Sequence, residues 1–259
     1  MKLLPKVIYQ DMGRISYKDA WDYQFTLQKS LIEHKLNARK LAEAGDLPPS
    51  VFEPNFDEKQ KHYLLFCEHN PVYTLGKSGS DTHLLLNETE LAAEGVEFFK
   101  INRGGDITYH GPGQITGYPI LDLDCFFTDV HKYVRYLEEA VIRTIAEYGL
   151  VGIRIQGYTG VWLENLPKSP NYTEGGKSYR KICAIGVHLS RWVTMHGFAF
   201  NVNTDLKYFN NIIPCGIVDE DKAVTSLAAE LGRKIDVEEV KMKLKAHYAD
   251  LFQFQYSSF

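Results

Sequence analysis

The chain is poor in the features that mark several large protein classes. It has four cysteines. Cys67, Cys125, Cys183 and Cys215 lie far apart and form no Cys-x-x-Cys pair, so neither a zinc knuckle nor a disulfide framework is expected. No stretch approaches the ~20 apolar residues that a membrane span needs. The opening MKLLPKVIYQD is broken by Pro5 and Lys6, so it does not read as a secretory signal. Charge of one sign is also scarce: 29 Lys and Arg stand against 33 Asp and Glu, a net charge of -4. That balance argues against nucleic-acid binding by bulk electrostatics. These absences predict a cytoplasmic protein with neither a membrane nor a nucleic acid as partner. Leu75–Ser80 contains Gly-Lys-Ser, but the position five residues before Gly76 is Pro71 where a P-loop needs glycine. An NTPase is rejected on that ground, and a turn is expected there.

What is present suits one α/β domain of the α+β type. Of 259 residues, 44% are apolar, enough for a sizeable core. No repeat or low-complexity tract interrupts residues 1–259, which read as a single catalytic domain. A helix is expected from Tyr17 to about Ala44, with Ala20, Leu27, Leu31, Ala38 and Leu41 near one face. HYLLFCEH, VYTL, EFFKIN, ITGYPILDL and GVWLE read as strands. Val134, Leu137, Val141 and Ile145 mark a helix over Asp129–Tyr148, and Val240, Leu244 and Tyr248 mark another near the C-terminus. ICAIGVHL and VTMHGFAFNVN, separated by Ser190-Arg191-Trp192, predict a hairpin. Strands, a helix, a hairpin and closing helices together favour a mixed sheet flanked by helices. Polar segments at 46–61 and 165–180 read as surface insertions, the second as a flap that orders with substrate.

Three places carry chemistry. RGGDITYHGPG, Arg103–Gly113, follows a strand and sets Arg103, Thr108, Tyr109 and His110 in a glycine frame. Its glycines allow close backbone approach or positive φ; a binding loop and a tight strand connection both remain open at this point. Cys215 sits between Pro214 and Gly216 in NIIPCGIVD, where a loop-tip thiol is accessible, although a lone cysteine is more often a buried apolar residue. Lys181 opens the apolar run KICAIGVHL. Its ammonium would matter if the fold brought it to Cys215, since a nearby cation stabilises a thiolate. Regular alternation would put Cys183 on the same face as Lys181. His188 and His196 lie on the two hairpin arms, without the compact spacing of a metal site.

In this order, RGGDITYHGPGQITGYPILDL, KICAIGVHLSRWVTMHGFAFNVN and IIPCGI closely resemble the octanoyltransferases of lipoate biosynthesis, and EHNPVYTLGKSG matches that family's upstream strand and turn. The resemblance covers about Cys67 to Leu231. It implies the fold of the biotin and lipoate protein ligases. It implies transfer of an octanoyl group from octanoyl-acyl carrier protein to a lysine of lipoyl domains, on 2-oxoacid dehydrogenase E2 subunits and the glycine cleavage H protein. It implies no cofactor and no metal. Cys215 is then the acyl-thioester nucleophile and Lys181 the residue that lowers its pKa. The substrate-binding residues implied are Arg103, Gly104, Gly105, Asp106, Ile107, Thr108, Tyr109 and His110, then Ala184, Ile185 and Gly186, then Gly197, Phe198 and Ala199. The small residues of the last two groups suit a narrow slot for an eight-carbon chain. An ATP-dependent ligase on the same fold and a non-catalytic binder of acylated partners are the competing readings. A basic patch of Lys77, Arg103, Lys168, Lys177 and Arg180 is expected to meet the acidic carrier.

Overall fold

The structure, a computed structural model, describes residues 4–44, 60–167, 174–213 and 221–257. In chain order its elements are β1 (Lys6–Ile15), α1 (Tyr17–Glu43), β2 (His62–His69), β3 (Val72–Leu75), α2 (Glu88–Glu94), β4 (Glu97–Lys100), β5 (Ile107–His110), β6 (Gln114–Ile120) and α3 (Val130–Ala146). Then come β7 (Gly152–Ile155), β8 (Tyr158–Glu164), β9 (Tyr179–Ser190), β10 (Val193–Asn201), β11 (Lys222–Val224), α4 (Leu227–Leu231), α5 (Val237–Phe252) and β12 (Gln255–Ser257). A large sheet runs β12-β1-β2-β6-β10-β9-β8-β7, with β11 alongside β9. A small sheet runs β4-β3-β5. Both are mixed, because β1 pairs parallel with β2 and β12, and β3 parallel with β4, while most other pairs are antiparallel. The expected mixed sheet with helices is present. The central residues of both expected insertions, 45–59 and 168–173, lie outside the described residues.

Helices α3 and α5 cover one face of the large sheet. Tyr133, Leu137 and Val141 meet Val240, Leu244 and Tyr248 over Phe198 and Phe200 of β10. The periodicity predicts this layer correctly, with Leu137, Val141 and Ile145 buried. A buried carboxylate ties α3 to the sheet. Glu138 takes Arg135 at 2.6 Å, Arg154 at 2.9 Å and the amide of Gly160 at 3.0 Å. Removing it leaves the buried Gly160 N–H without an acceptor, while Arg154 keeps Glu139 and Arg135 keeps solvent. Glu138→Ala is therefore expected to cost about 1–3 kcal/mol, read from the urea midpoint, and Glu138→Gln less, since it still accepts from Gly160.

Helix α1 crosses the opposite face, and its inner stripe differs from expectation. The buried positions are Tyr17, Ala20, Gln24, Gln28, Leu31 and Lys35, whereas Leu41 is 45% exposed. The reason lies in the sheet. The β6–β10 ladder stops at Phe198↔Gly117, and continuing that register sets His196 opposite Pro119. Proline has no N–H to give a ladder. Beyond that point helix α1 gives β10 other partners: Gln24 accepts from the His196 amide at 3.0 Å, and Gln28 donates to the Val193 carbonyl at 2.9 Å. Lys35 pairs with Asp122 at 2.7 Å. The polar side chains are buried with these bonds, so hydrophobic periodicity alone misplaces the stripe.

The β9–β10 hairpin forms as predicted. Its two turn residues, Arg191 and Trp192, have φ of 49° and 67°, the left-handed pair that a two-residue hairpin turn uses.

Candidate active site

The small sheet sits over the α1 face of the large sheet, and the RGGD loop is the join. Gly104 donates to the Val187 carbonyl of β9 at 2.9 Å. Residues 76–78 bond back onto the same loop, Gly76 to Asp106, Lys77 to Arg103 and Ser78 to Gly105. The Gly-Lys-Ser segment is therefore a turn that braces this loop.

Two clefts open along the join. The outer one is lined by Lys181, Gln114, Asn201, Ile107, Phe209 and Val224, together with Thr108, Ala184 and Ala199. The inner one shares those last three residues. It continues past Arg103, His110, Ile185, Gly186, Gly197 and Phe198 to Tyr17, Thr116, Tyr118 and His196. Ten of the residues implied by the resemblance thus line one continuous pair of clefts, and Lys181 joins them at the outer end. Gly104, Gly105, Asp106 and Tyr109 line neither. Tyr109 turns away and stacks on Tyr208 at 4.7 Å. Asp106 instead holds His83 at 2.5 Å. Cys215 lies outside the described residues.

The two glycines of the slot serve the backbone. A Cβ on Gly186 would lie 2.8 Å from the Gly104 carbonyl oxygen, and one on Gly197 2.2 Å from that of Gly117. They let strand and loop approach closely. The space for a chain comes from Ala184 and Ala199, which face each other across the β9–β10 ladder.

Lys181 is 6% exposed, although a lysine that opens a strand would ordinarily face water. Its Nζ lies 4.5 Å from the centroid of the Trp162 ring, a cation–π contact. Two neighbours flank its strand position, Trp162 of β8 and Val224 of β11.

Cys183 does not share this face, which corrects the expectation from regular alternation. Val161 pairs with Cys183 but Trp162 pairs with Lys181, so β9 carries one extra residue at Ile182. The bulge shifts the alternation. Lys181 and Ala184 face the clefts, while Ile182 and Cys183 both enter the helix-side core. Cys183 is fully buried, and burial pushes its thiol far up.

The inner cleft is held by a directed hydrogen-bond chain. Gln114 Nε2 donates to the Tyr109 carbonyl and to Asn201 Oδ1, so its Oε1 accepts from His110 Nδ1–H at 2.9 Å. His110 Nε2 is then the acceptor toward the Thr74 hydroxyl at 3.3 Å, and Thr74 accepts in turn from Arg103 Nη2 at 2.9 Å. Arg103 also donates to the carbonyls of Thr74 and Gly104. Burial, then the nearby His69 and Arg103, hold His110 far below its ordinary range, so it is neutral. Arg103 and His110 shape the wall as a neutral-imidazole clamp.

The expected basic patch is not assembled. Arg103 is 6% exposed inside the site. Arg180 forks onto Glu230 at 2.7 and 3.1 Å. Lys77 and Lys177 are exposed, and Lys168 lies outside the described residues.

Sequence reasoning missed Tyr17, Thr116 and Tyr118, which reach the cleft from α1 and β6. His196 carried a signal, being the polar residue just before Gly197-Phe198-Ala199. No helix among the described residues is long and apolar enough to cross a membrane.

Residues 46–249 match the family model of the lipoyl protein ligase A/B catalytic domain. An octanoyltransferase of Flavobacterium johnsoniae is 55% identical over 249 residues, 96% of this chain and 97% of the relative. One from Christiangramia forsetii is 54% identical over 249 residues, 96% of each. Among solved structures, the bipartite lipoate protein ligase of Thermoplasma acidophilum superposes with a TM-score of 0.63 over 99% of this chain and 87% of that one. At 13% identity this last likeness is one of fold.

Proposed function

Since this chain belongs to the octanoyltransferases of the lipoyl protein ligase A/B catalytic-domain family, acyltransferases that serve protein lipoylation, we propose that it moves the octanoyl group through Cys215. The donor is octanoyl-acyl carrier protein and the acceptor a lysine of a lipoyl domain, such as those of 2-oxoacid dehydrogenase E2 subunits or the glycine cleavage H protein. The reading places the whole chain in one cytoplasmic catalytic domain. The Cys215 thiolate, stabilised by the Lys181 ammonium, attacks the donor's thioester carbonyl. The carrier's thiolate leaves and takes a proton from Lys181. The acceptor amine then gives its proton to neutral Lys181 and attacks the enzyme thioester. An amide forms, and the Cys215 thiolate is released. The first exchange is nearly level in free energy, and the second is driven by the more stable amide. No ATP enters either step.

The observation that carries this reading is the placement of Lys181. It is buried at the outer end of a cleft pair whose passage is walled by Ala184, Ala199 and Thr108. The described residues before and after Cys215 are held within the fold. The Ile213 amide bonds to the His83 carbonyl at 2.8 Å, and β11 pairs with β9 so that Val224 stands beside Lys181.

Incubation with octanoyl-acyl carrier protein, without ATP, followed by intact-mass analysis tests the proposal. The expected result is one octanoyl adduct on the wild-type protein and none on Cys215→Ala. Full transfer by the alanine variant would overturn the covalent route, and a requirement for ATP would point to a ligase.

A further inference from the structure

His196 stands in an unusual backbone state. Among the described residues, four that are not glycine have φ in the left-handed region. Arg191 and Trp192 make the hairpin turn, and Gln253 ends α5. His196, at φ 60°, lies inside β10. A side chain there is strained, and such strain persists only where the surroundings impose it. Here they do: Pro119 leaves the strand edge open and Gln24 takes the amide.

The kink has a geometric effect. In β10 the even-numbered Phe198 and Phe200 enter the helix-side core, while Val193 and Met195 face α1. Simple alternation would send His196 to the core. It is found instead on the α1 side, where its ring approaches Trp21 and Nε2 meets Asn102 Oδ1 at 2.9 Å. It is 2% exposed and lines the far end of the inner cleft.

Its distance from the entrance matches the cargo. Ala199 lines both clefts, and His196 is three residues further along the same strand. At about 3.3 Å per residue that is about 10 Å. An extended chain advances about 1.2 Å per bond, as a three-bond peptide unit advances about 3.6 Å, so the seven bonds of an octanoyl chain span about 8 Å. Chains of ten and twelve carbons span about 11 and 13 Å and overrun the distance by about 1 and 3 Å. On the reading that the octanoyl chain lies in the inner cleft, from the junction at Ala199 inwards, we propose that His196, turned into the cleft by its left-handed backbone, is the stop that sets acyl chain length.

The test uses carrier protein loaded with C8, C10 or C12 acyl chains. The wild-type protein, His196→Gly and His196→Asn are compared by initial rate of acyl-adduct formation, and acylation of a lipoyl domain is followed in parallel. Glycine removes both the strain and the stop; asparagine tolerates the backbone and shortens the stop. The wild-type protein is expected to use C12 about tenfold or more slower than C8. His196→Gly should raise the C12/C8 ratio by about tenfold or more, with His196→Asn between. A role confined to stability would lower all chain lengths together and leave the ratio unchanged. The proposal is overturned if the wild-type protein uses C12 as fast as C8, or if both variants keep the wild-type ratio. Lipoyl-domain acylation that falls off beyond C8 with no enzyme adduct would overturn the covalent route and still support the stop.

Discussion

Lys181→Met is expected to slow octanoyl transfer about a thousandfold or more, within the usual span of general acid–base catalysis. Methionine keeps the length and apolar stem of the side chain. The packing beside Trp162 and Val224 should survive, and the melting temperature should stay within a few degrees. On the proposed mechanism, what is lost is the charge that stabilises the Cys215 thiolate and the group that carries protons out of and into the reaction. Lys181→Arg separates these two roles. Arginine keeps a charge but does not deprotonate at working pH, so it should restore the alkylation rate of the Cys215 thiol by iodoacetamide more than it restores turnover. A methionine variant within tenfold of wild type, measured as octanoylation of a lipoyl domain at saturating donor, would remove Lys181 from the mechanism.

The second large effect concerns acid. Four histidines are buried and neutral. Burial pushes His62 down to about 3, His69 to about 4 and His196 to about 3, and drives His110 far below 6.5. In the unfolded chain each titrates near 6.5. A depressed folded-state value gives stability that is complete above the unfolded value and is lost as pH falls toward the folded one. The window therefore opens near pH 6.5 and runs down to about 4. One unit below 6.5, each histidine costs about 1.4 kcal/mol, so the four together cost about 6 kcal/mol at pH 5.5. That is comparable with the whole stability of many domains. The protein is expected to lose its cooperative melt between pH 6.5 and 5, before most carboxylates titrate. His62 offers a partial reversal, with the loss of the acceptor that its Nδ1 gives the Asp122 amide at 3.2 Å. Its ring packs edge-on to Phe126 at 5.1 Å, and its Nε2 is buried with no hydrogen-bond partner among the described residues. His62→Phe should take up one proton fewer on unfolding at pH 5.5. A melting temperature at pH 5.5 within a few degrees of that at pH 7.5 would refute the scheme.

How much of this was legible in the sequence depended on whether a pattern was local. Helices α3 and α5 declare themselves by the spacing of Leu137, Val141, Val240 and Leu244, because they bury an ordinary apolar stripe. Strand β1 does not, since KVIYQDMGRI alternates poorly and mixes charge with apolar residues. Strands β7, β11 and β12 are too short to carry a period. The stripe of α1 was misplaced because Gln24, Gln28 and Lys35 bond to His196, Val193 and Asp122, all far away in the chain. The cleft shows the same division. Lys181, Ala184 and Ala199 sit inside motifs that resemble a known family. Tyr17, Thr116 and Tyr118 reach the clefts only through tertiary packing, and no local signal names them.

Strand β9 has a property that follows from the extra residue at Ile182. It is two half-strands out of phase by one step, and the junction lies between the reactive lysine and the wall of the passage. Composition alone does not define such a strand; its residue count does. Deleting a single residue there would exchange inside for outside along everything on one side of the junction, bringing Cys183 toward the cargo and sending Ala184 into the hydrocarbon interior. Substitutions in this strand can be graded, but a change in its length would act as a frameshift in space.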